Sequence, residues 1–287
     1  LATLLPVRGE ARDAAQFVSN AAVFLLFFLN GVRLPRSEVL HGMTKGRLLG
    51  PLVLWVFGAM TLAGWLLWQG GQGWMPPLVA LGFLYLGTLP STVQSATAYS
   101  SLAGGNIASS VIAAALLNIL GVFVTAPLFS LLAGSADAGL RSDGLLKVFT
   151  VLLLPFILGQ LFQNRLGGWV KHHRGVVTWM DRGSIAIAVY VAFSSAVEQG
   201  IWQRLDAAGW GWLAAGVALM LAFGYGGAWL LGGALRLERG DRISLLFAGA
   251  QKSIAMGAPL ATVLFAPAVA GVILLPALLY HLAQLVV

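Results

Sequence analysis

Residues 243–265 read ISLLFAGAQKSIAMGAPLATVLF, and what happens at their centre decides the fold. A stretch of this length can cross a bilayer as one helix, and it contains no Asp or Glu. At mid-span, however, stand Gln251, Lys252 and Ser253, followed by Gly257 and Pro259. A Lys at the centre of a transmembrane helix is unfavourable by about 2.5–3.5 kcal/mol on insertion scales. Gly and Pro there weaken the helical hydrogen-bond ladder. The pattern predicts a helix broken at mid-membrane. Residues 77–101 break the same way, with PLVALGFLYLGT giving over to LPSTVQSATAYSS. The apolar part is only ~18 Å long at 1.5 Å per residue, against a hydrocarbon core of ~30 Å. Pro90 removes a backbone donor at the break.

Around these two stretches the chain has 287 residues, 59% hydrophobic and 9% charged. Soluble domains carry about 25% charged residues, so an ordinary soluble enzyme is excluded. Cys is absent, which removes disulfides, thiolate metal sites and Cys nucleophiles. The net charge of +7 comes with no basic stripe interleaved with aromatics, so nucleic acid is not a partner; loop Lys and Arg orient a membrane protein instead. Apolar stretches fall at about 14–33, 48–68, 77–101, 106–133, 148–163, 180–199, 210–234, 243–265 and 267–287. These predict an all-α polytopic membrane protein of nine spans in one integral domain. Trp68, Trp74, Trp179, Trp202, Trp210, Trp229 and Tyr280 stand near span ends, where interfacial anchors sit; Trp55 lies within its span, as a packing residue.

Lys and Arg divide eleven to five between the two sides of the bilayer, with Lys252 at depth on neither. Arg33, Arg36, Lys45, Arg47, Arg165, Lys171, Arg174, Arg182, Arg236, Arg239 and Arg242 fall on one side. Arg8, Arg12, Arg141, Lys147 and Arg204 fall on the other. The positive-inside rule then places residue 1 outside and the C-terminus in the cytoplasm. Each broken span is followed by a long helix rich in small residues. Spans one to four correspond to spans six to nine, and the fifth lacks a mate. This predicts an inverted five-helix repeat whose first helix, of ten, precedes Leu1. Discontinuous helices in matching positions of two halves point to the binding site of a secondary transporter.

Lys252 is the sharpest single residue, because no Asp or Glu lies at comparable depth in any span. It can hold an anionic substrate, take up and release a proton, or simply bond backbone carbonyls opened by the 88–95 break. Thr92, Gln94, Ser95, Gln251 and Ser253 form a neutral polar set at the two breaks; their oxygens suit hard cations and their donors suit carboxylates. Interhelical hydrogen bonding is the plainer use of such residues in a membrane. Ser110 and Asn118, eight apart on the fourth span, lie near one helix face. Asn30 and Gln160 read as structural. His41, His172, His173 and His281 make no metal site, and no acid–base pair at depth supports catalysis. No cofactor, metal or catalytic residue is expected. The glycines at 224–227 and 232–233 read as helix-packing residues rather than a phosphate loop.

Five segments carry a family likeness: FFLNGVRLPRSEVL (27–40), LPSTVQSATAYSSLAGGN (89–106), LLPFILGQ (153–160), DRGSIAIAVYVAFSSAV (181–197) and AGAQKSIAMGAPLATVLF (248–265). Together they resemble the bile acid:sodium symporter superfamily, in particular its bacterial SBF-like branch, related to the vertebrate orphan member of solute carrier family 10. The likeness runs over nearly the whole chain. It implies ten helices in two parts. Panel helices would correspond to about 14–33, 148–163 and 180–199. Core helices would correspond to about 48–68, 77–101, 106–133, 210–234, 243–265 and 267–287, with two broken helices crossing in the core. The bile acid symporters place an acidic sodium ligand four positions before a Gln. Gln251 matches that Gln, but Phe247 stands where the acid would be, and Lys252 replaces a neutral residue. Gln94-Ser95 falls near their ion-binding pair and Ser110 near a hydroxyl ligand; Ala114 stands where a second hydroxyl is expected.

The resulting expectation is a secondary active transporter of a small organic anion, working by alternating access and not classically sodium-coupled. The proton is favoured over sodium as coupling ion. The alternatives are a non-transporting regulator that binds a partner on the same fold, and a sodium-coupled symporter. The expected setting is a bacterial inner membrane, with the lipid bilayer and the anion as partners; the sequence leaves the oligomeric state open.

Overall fold

A computed structural model describes residues 7, 11–33, 46–134, 146, 149–198, 200 and 206–286. Those residues form helices and turns, with only an isolated bridge between Gln72 and Met75. The helices are α1 Ala11–Arg33, α2 Gly46–Gly71, α3 Pro77–Thr88, α4 Gln94–Leu102, α5 Ile107–Ala133 and α6 Phe149–His172. They continue with α7 Arg174–Glu198, α8 Ala207–Ala234, α9 Arg239–Ala250, α10 Ile254–Leu264 and α11 Pro267–Gln284. Seven of them are long and apolar enough to cross a membrane. The pairs α3/α4 and α9/α10 supply the two broken spans. The protein is therefore an all-α polytopic membrane protein. The order of a twelve-residue helix, an extended break, a shorter helix and a long helix occurs twice, as α3–α4–α5 and α9–α10–α11.

Two expectations about span ends need correction. The fifth span runs to His172 rather than ending near 163, and α7 begins at Arg174. Arg165, Lys171, Arg174 and Arg182, which the span limits 148–163 and 180–199 leave largely between helices, are therefore helical, and only a turn at His173 separates α6 from α7. Long Lys and Arg side chains reach the interface from helix ends, so a hydropathy window closes the span too early. Tyr280 is not an interfacial anchor: it is fully buried and its hydroxyl donates to Ala250 O at 2.5 Å. Arg8, Arg36, Lys45, Arg141, Lys147, Arg204, His41, Trp202 and residues 34–40 of the first family-like segment lie outside the described residues.

The chain divides into two compact units. The first comprises the described parts of Leu1–Pro35, Gly134–Arg204 and Ala258–Val272. In it, α1 lies against α6 at glycines: Gly31 faces the Phe156 carbonyl and Gly159 faces that of Phe28, each too close for a Cβ. Gln160 Nε2 donates to Gly31 O at 2.5 Å, and Leu29, Val32, Val170 and Val177 fill the contact among α1, α6 and α7. Arg33, at the end of α1, pairs with Asp181 of α7 at 2.5 Å and donates to Asn30 Oδ1 at 3.1 Å.

The second unit comprises the described parts of Arg36–Ala133, Leu205–Gly257 and Ile273–Val287. Lipid is as apolar as Leu, so helices associate there by close packing and hydrogen bonds rather than by escape from water. Small residues accordingly line the contacts. Gly64 of α2 meets the Phe83 carbonyl of α3, and a Cβ on Gly87 would fall 2.7 Å from Met60 O. Gly227 of α8 makes room for Trp55, which stacks on Phe223 at 5.0 Å. Leu48, Leu49, Leu52, Val56 and Phe57 of α2 pack with Ala113 and Leu117 of α5, Ala228 of α8 and Leu245 and Ala248 of α9. Within α2, residues Trp55–Ala59 form a π-turn, which shifts one step of the helical ladder.

Candidate functional site

Both breaks lie in the second unit and touch there. Beyond α3 the backbone extends at Leu89 (φ −68°, ψ 144°), and beyond α9 it extends at Gln251 (φ −75°, ψ 143°). The Ser253 amide donates to Pro90 O at 2.8 Å, a backbone bond from one break to the other. The first break is shorter than the expected 88–95, and the second ends before Gly257. Gln94 and Ser95 already belong to the first turn of α4, and Gly257 and Pro259 lie inside α10. The helical ladder resumes at once, with Gly257 N on Ser253 O at 2.9 Å. Carbonyls freed by the first break find side chains: Thr125 Oγ1 donates to Thr88 O at 3.0 Å and Asn118 Nδ2 to Ser91 O at 2.9 Å. Gly121 of α5 gives the Pro90 ring its space. Asn118 thus braces the break.

Lys252 is 1% exposed. Its ammonium donates to Gly87 O at 2.7 Å, Leu89 O at 2.7 Å and Val56 O at 3.2 Å. Two of these carbonyls end α3 or follow it, where helix carbonyls lack intrahelical partners and the helix dipole is negative. The third comes from the π-turn of α2. An ammonium has three donors, and all three are engaged. This is the carbonyl-bonded arrangement weighed above, with Val56 added. On the other side Gln284 grips the Lys252 backbone: Lys252 N donates to Gln284 Oε1 at 2.8 Å, and Gln284 Nε2 donates to Lys252 O at 3.0 Å.

Gln251 bridges the crossing by its side chain. Its Oε1 accepts from Thr92 Oγ1 at 2.7 Å and Ser95 Oγ at 2.6 Å, and those hydroxyls are 2.5 Å apart. Three oxygens therefore share two hydroxyl protons. Gln251 Nε2 is buried without a hydrogen-bond partner. Ser110 Oγ is also buried without a partner. Ser253 caps α10, its Oγ accepting from Met256 N at 3.3 Å. Of the eight candidate residues, Thr92, Ser95, Gln251, Lys252 and Ser253 come together, and Asn118 supports them. Gln94 is exposed and stands apart. Phe247 is not a ligand but part of an aromatic row, 5.9 Å from Tyr99 and 6.2 Å from Tyr225.

Several contributors escaped the sequence reading. Gln284 carried a usable signal, as a Gln in an apolar final span. Tyr280, which donates to the last carbonyl of α9, was read by its position as an anchor. Val56 carried none, since every residue has a carbonyl and the π-turn has no sequence mark. Among the described residues no group of three His, Cys, Asp or Glu side chains is placed to hold a metal.

Comparison with known proteins places this crossing in context. Over 293 residues, the whole of this chain and 86% of the relative, it is 38% identical to "Uncharacterized protein PA2026" of Pseudomonas aeruginosa. It is 36% identical to "Putative symporter YfeH" of Escherichia coli K12 over 294 residues, again the whole chain and 86% of the relative. The mouse "Sodium/bile acid cotransporter 7" is 22% identical over 281 residues, 93% of this chain and 80% of that protein. The model of the SBF-like CPA transporter family matches residues 1–287. Two broken helices that cross inside a bundle of apolar spans, and a family match from end to end, identify the chain as an integral membrane protein that belongs to the SBF-like CPA transporter family, a family of transporters and not of enzymes.

Proposed function

We propose that this protein is a secondary active carrier of a small organic anion, working by alternating access, in which the fixed ammonium of Lys252 stands in place of a dissociable sodium ion. The observation that carries this reading is the engagement of Lys252 Nζ by three carbonyls beside the crossing. A second cation ~4 Å from it would be repelled by about 4 kcal/mol at an effective dielectric of 20. Among the described residues no carboxylate pairs with Lys252, and Phe247 occupies the position where the bile acid symporters have their acid. The breaks divide the charge further. Lys252 covers the negative end of α3, and the Tyr280 hydroxyl covers that of α9. The positive ends of α4 and α10 begin at Gln94 and Ile254. A side-chain oxygen takes one N–H at each, Ala96 N at Thr92 Oγ1 and Met256 N at Ser253 Oγ, and the helix dipoles there still attract an anion. Secondary transporters bind their substrate where discontinuous helices meet near mid-membrane, which supports transport through the crossing.

The coupling ion favoured by this reading is the proton. The bacterial inner membrane is its setting, in keeping with the Pseudomonas and Escherichia relatives. Reconstituted protein should accumulate at least one organic anion equally well in sodium and in choline, and an imposed proton gradient should change the rate. Strict sodium dependence would overturn the reading and favour the sodium-coupled symporter, in line with the name of the mouse relative. Binding to a protein partner with no flux of any anion under any gradient would favour the regulator.

A further inference from the structure

We propose that the carbonyls of Val56, Gly87 and Leu89 form a cation site of the primary-ammonium class whose occupant here is tethered, and that the site takes a free alkylammonium ion once the tether is cut. The inference rests on the reading of Lys252 as a standing cation. It goes further in assigning a binding site to backbone atoms of two helices that would persist without the side chain. The three oxygens stand at local irregularities of the backbone, a helix end and a π-turn, where the regular helical ladder is interrupted. Gly87 and Leu89 flank the end of α3, and Val56 lies in the π-turn of α2. Gly87 O accepts from a second donor as well, Thr61 Oγ1 of α2 at 3.3 Å. Close backbone contact between Gly87 and the Met60–Thr61 segment holds α2 and α3 in register. The peptide of Lys252 is fixed separately, by Gln284.

Three acceptors at 2.7–3.2 Å match the three N–H donors of a primary ammonium. A quaternary ammonium has no N–H to offer. In this chain the ammonium clips α2 to the end of α3 without needing a free ion.

Lys252→Ala removes three methylenes, the ε-carbon among them, and the ammonium, which together have the composition of n-propylammonium less one hydrogen. The purified variant should melt roughly 5–10 °C below the parent chain. Millimolar n-propylammonium should restore most of that loss with a saturable dose dependence. Tetramethylammonium and n-propanol should not, and the parent chain should respond to none of the three. A variant as stable as the parent, a loss that no amine repairs, or equal repair by tetramethylammonium would each overturn the proposal. Should Lys252→Ala not accumulate, the parent chain itself gives the answer by solid-state nuclear magnetic resonance. An ammonium-type Lys252 15Nζ signal with dipolar contacts to the 13C carbonyls of Gly87 and Leu89, unchanged between sodium and choline, is expected. Absence of those contacts would overturn it. Neither readout measures transport, so a failed cation site and a failed carrier reading remain distinguishable.

Discussion

Lys252, Gln251, Thr92 and Ser95 are arranged by the need to match donors to acceptors where water is scarce. A buried polar group left unpaired costs about 1–3 kcal/mol, so each hydrogen at the crossing finds a partner wherever geometry allows. Gln251 Oε1 has two donors, and either can be lost while the other remains. Thr92→Val and Ser95→Ala should therefore each lower stability by no more than about 1 kcal/mol, whereas the double variant should lose more than their sum. Thermal unfolding of the four proteins in one detergent checks this; strict additivity would mean that the two hydroxyls do not share the acceptor. The residue type was readable in advance for Lys252 and Gln251, which are conspicuous in an apolar run. Their partners were less so, because a hydroxyl at a span end has many uses.

At the scale of elements, glycines decide which helices touch by backbone. Gly87 has Met60 O 2.7 Å and Thr61 Cα 3.0 Å from its virtual Cβ, while Gly226 of α8 has nothing within 4 Å. Gly87→Ala should push α2 and α3 apart and disturb two of the three carbonyls around Lys252. We expect loss of most folded protein on size-exclusion chromatography. Gly226→Ala should be neutral or stabilising by up to about 1 kcal/mol, because Ala is the better helix former. Equal behaviour of the two variants would remove the close α2–α3 contact as a determinant. The sequence reading marked the 224–227 glycines as packing residues, and Gly224 and Gly227 are; Gly226 faces open space. A run of glycines has no register of its own, and only the neighbouring helix selects which of them are needed.

For the molecule as a whole, the uneven distribution of Lys and Arg predicts the orientation. The turn between α2 and α3 should lie outside and the turn between α4 and α5 inside. The chain has no Cys, so single cysteines report cleanly. Gln72→Cys should react with an impermeant maleimide in intact cells, and Ala103→Cys should react only after permeabilisation; both positions are exposed. The opposite pattern would reverse the topology. Within the first unit, Arg33 and Asp181 join α1 to α7 near one end of those helices, so the charge counted toward orientation is partly neutralised by a partner from another span.

Hydropathy and mid-span polarity alone determined that this chain is a bundle of membrane helices with two of them broken. A bilayer tests every residue for water affinity one by one, and a Pro, a Lys or a Gln at mid-depth is unfavourable wherever its neighbours lie. Tertiary structure alone decided what Lys252 bonds to, that Gln284 holds its backbone, that Tyr280 is buried, and that Phe247 joins Tyr99 and Tyr225. Carbonyl oxygens are present at every position and aromatic rings at many. Which of them meets a given side chain depends on how distant helices pack, and close packing is a property of pairs that no single position in the sequence carries.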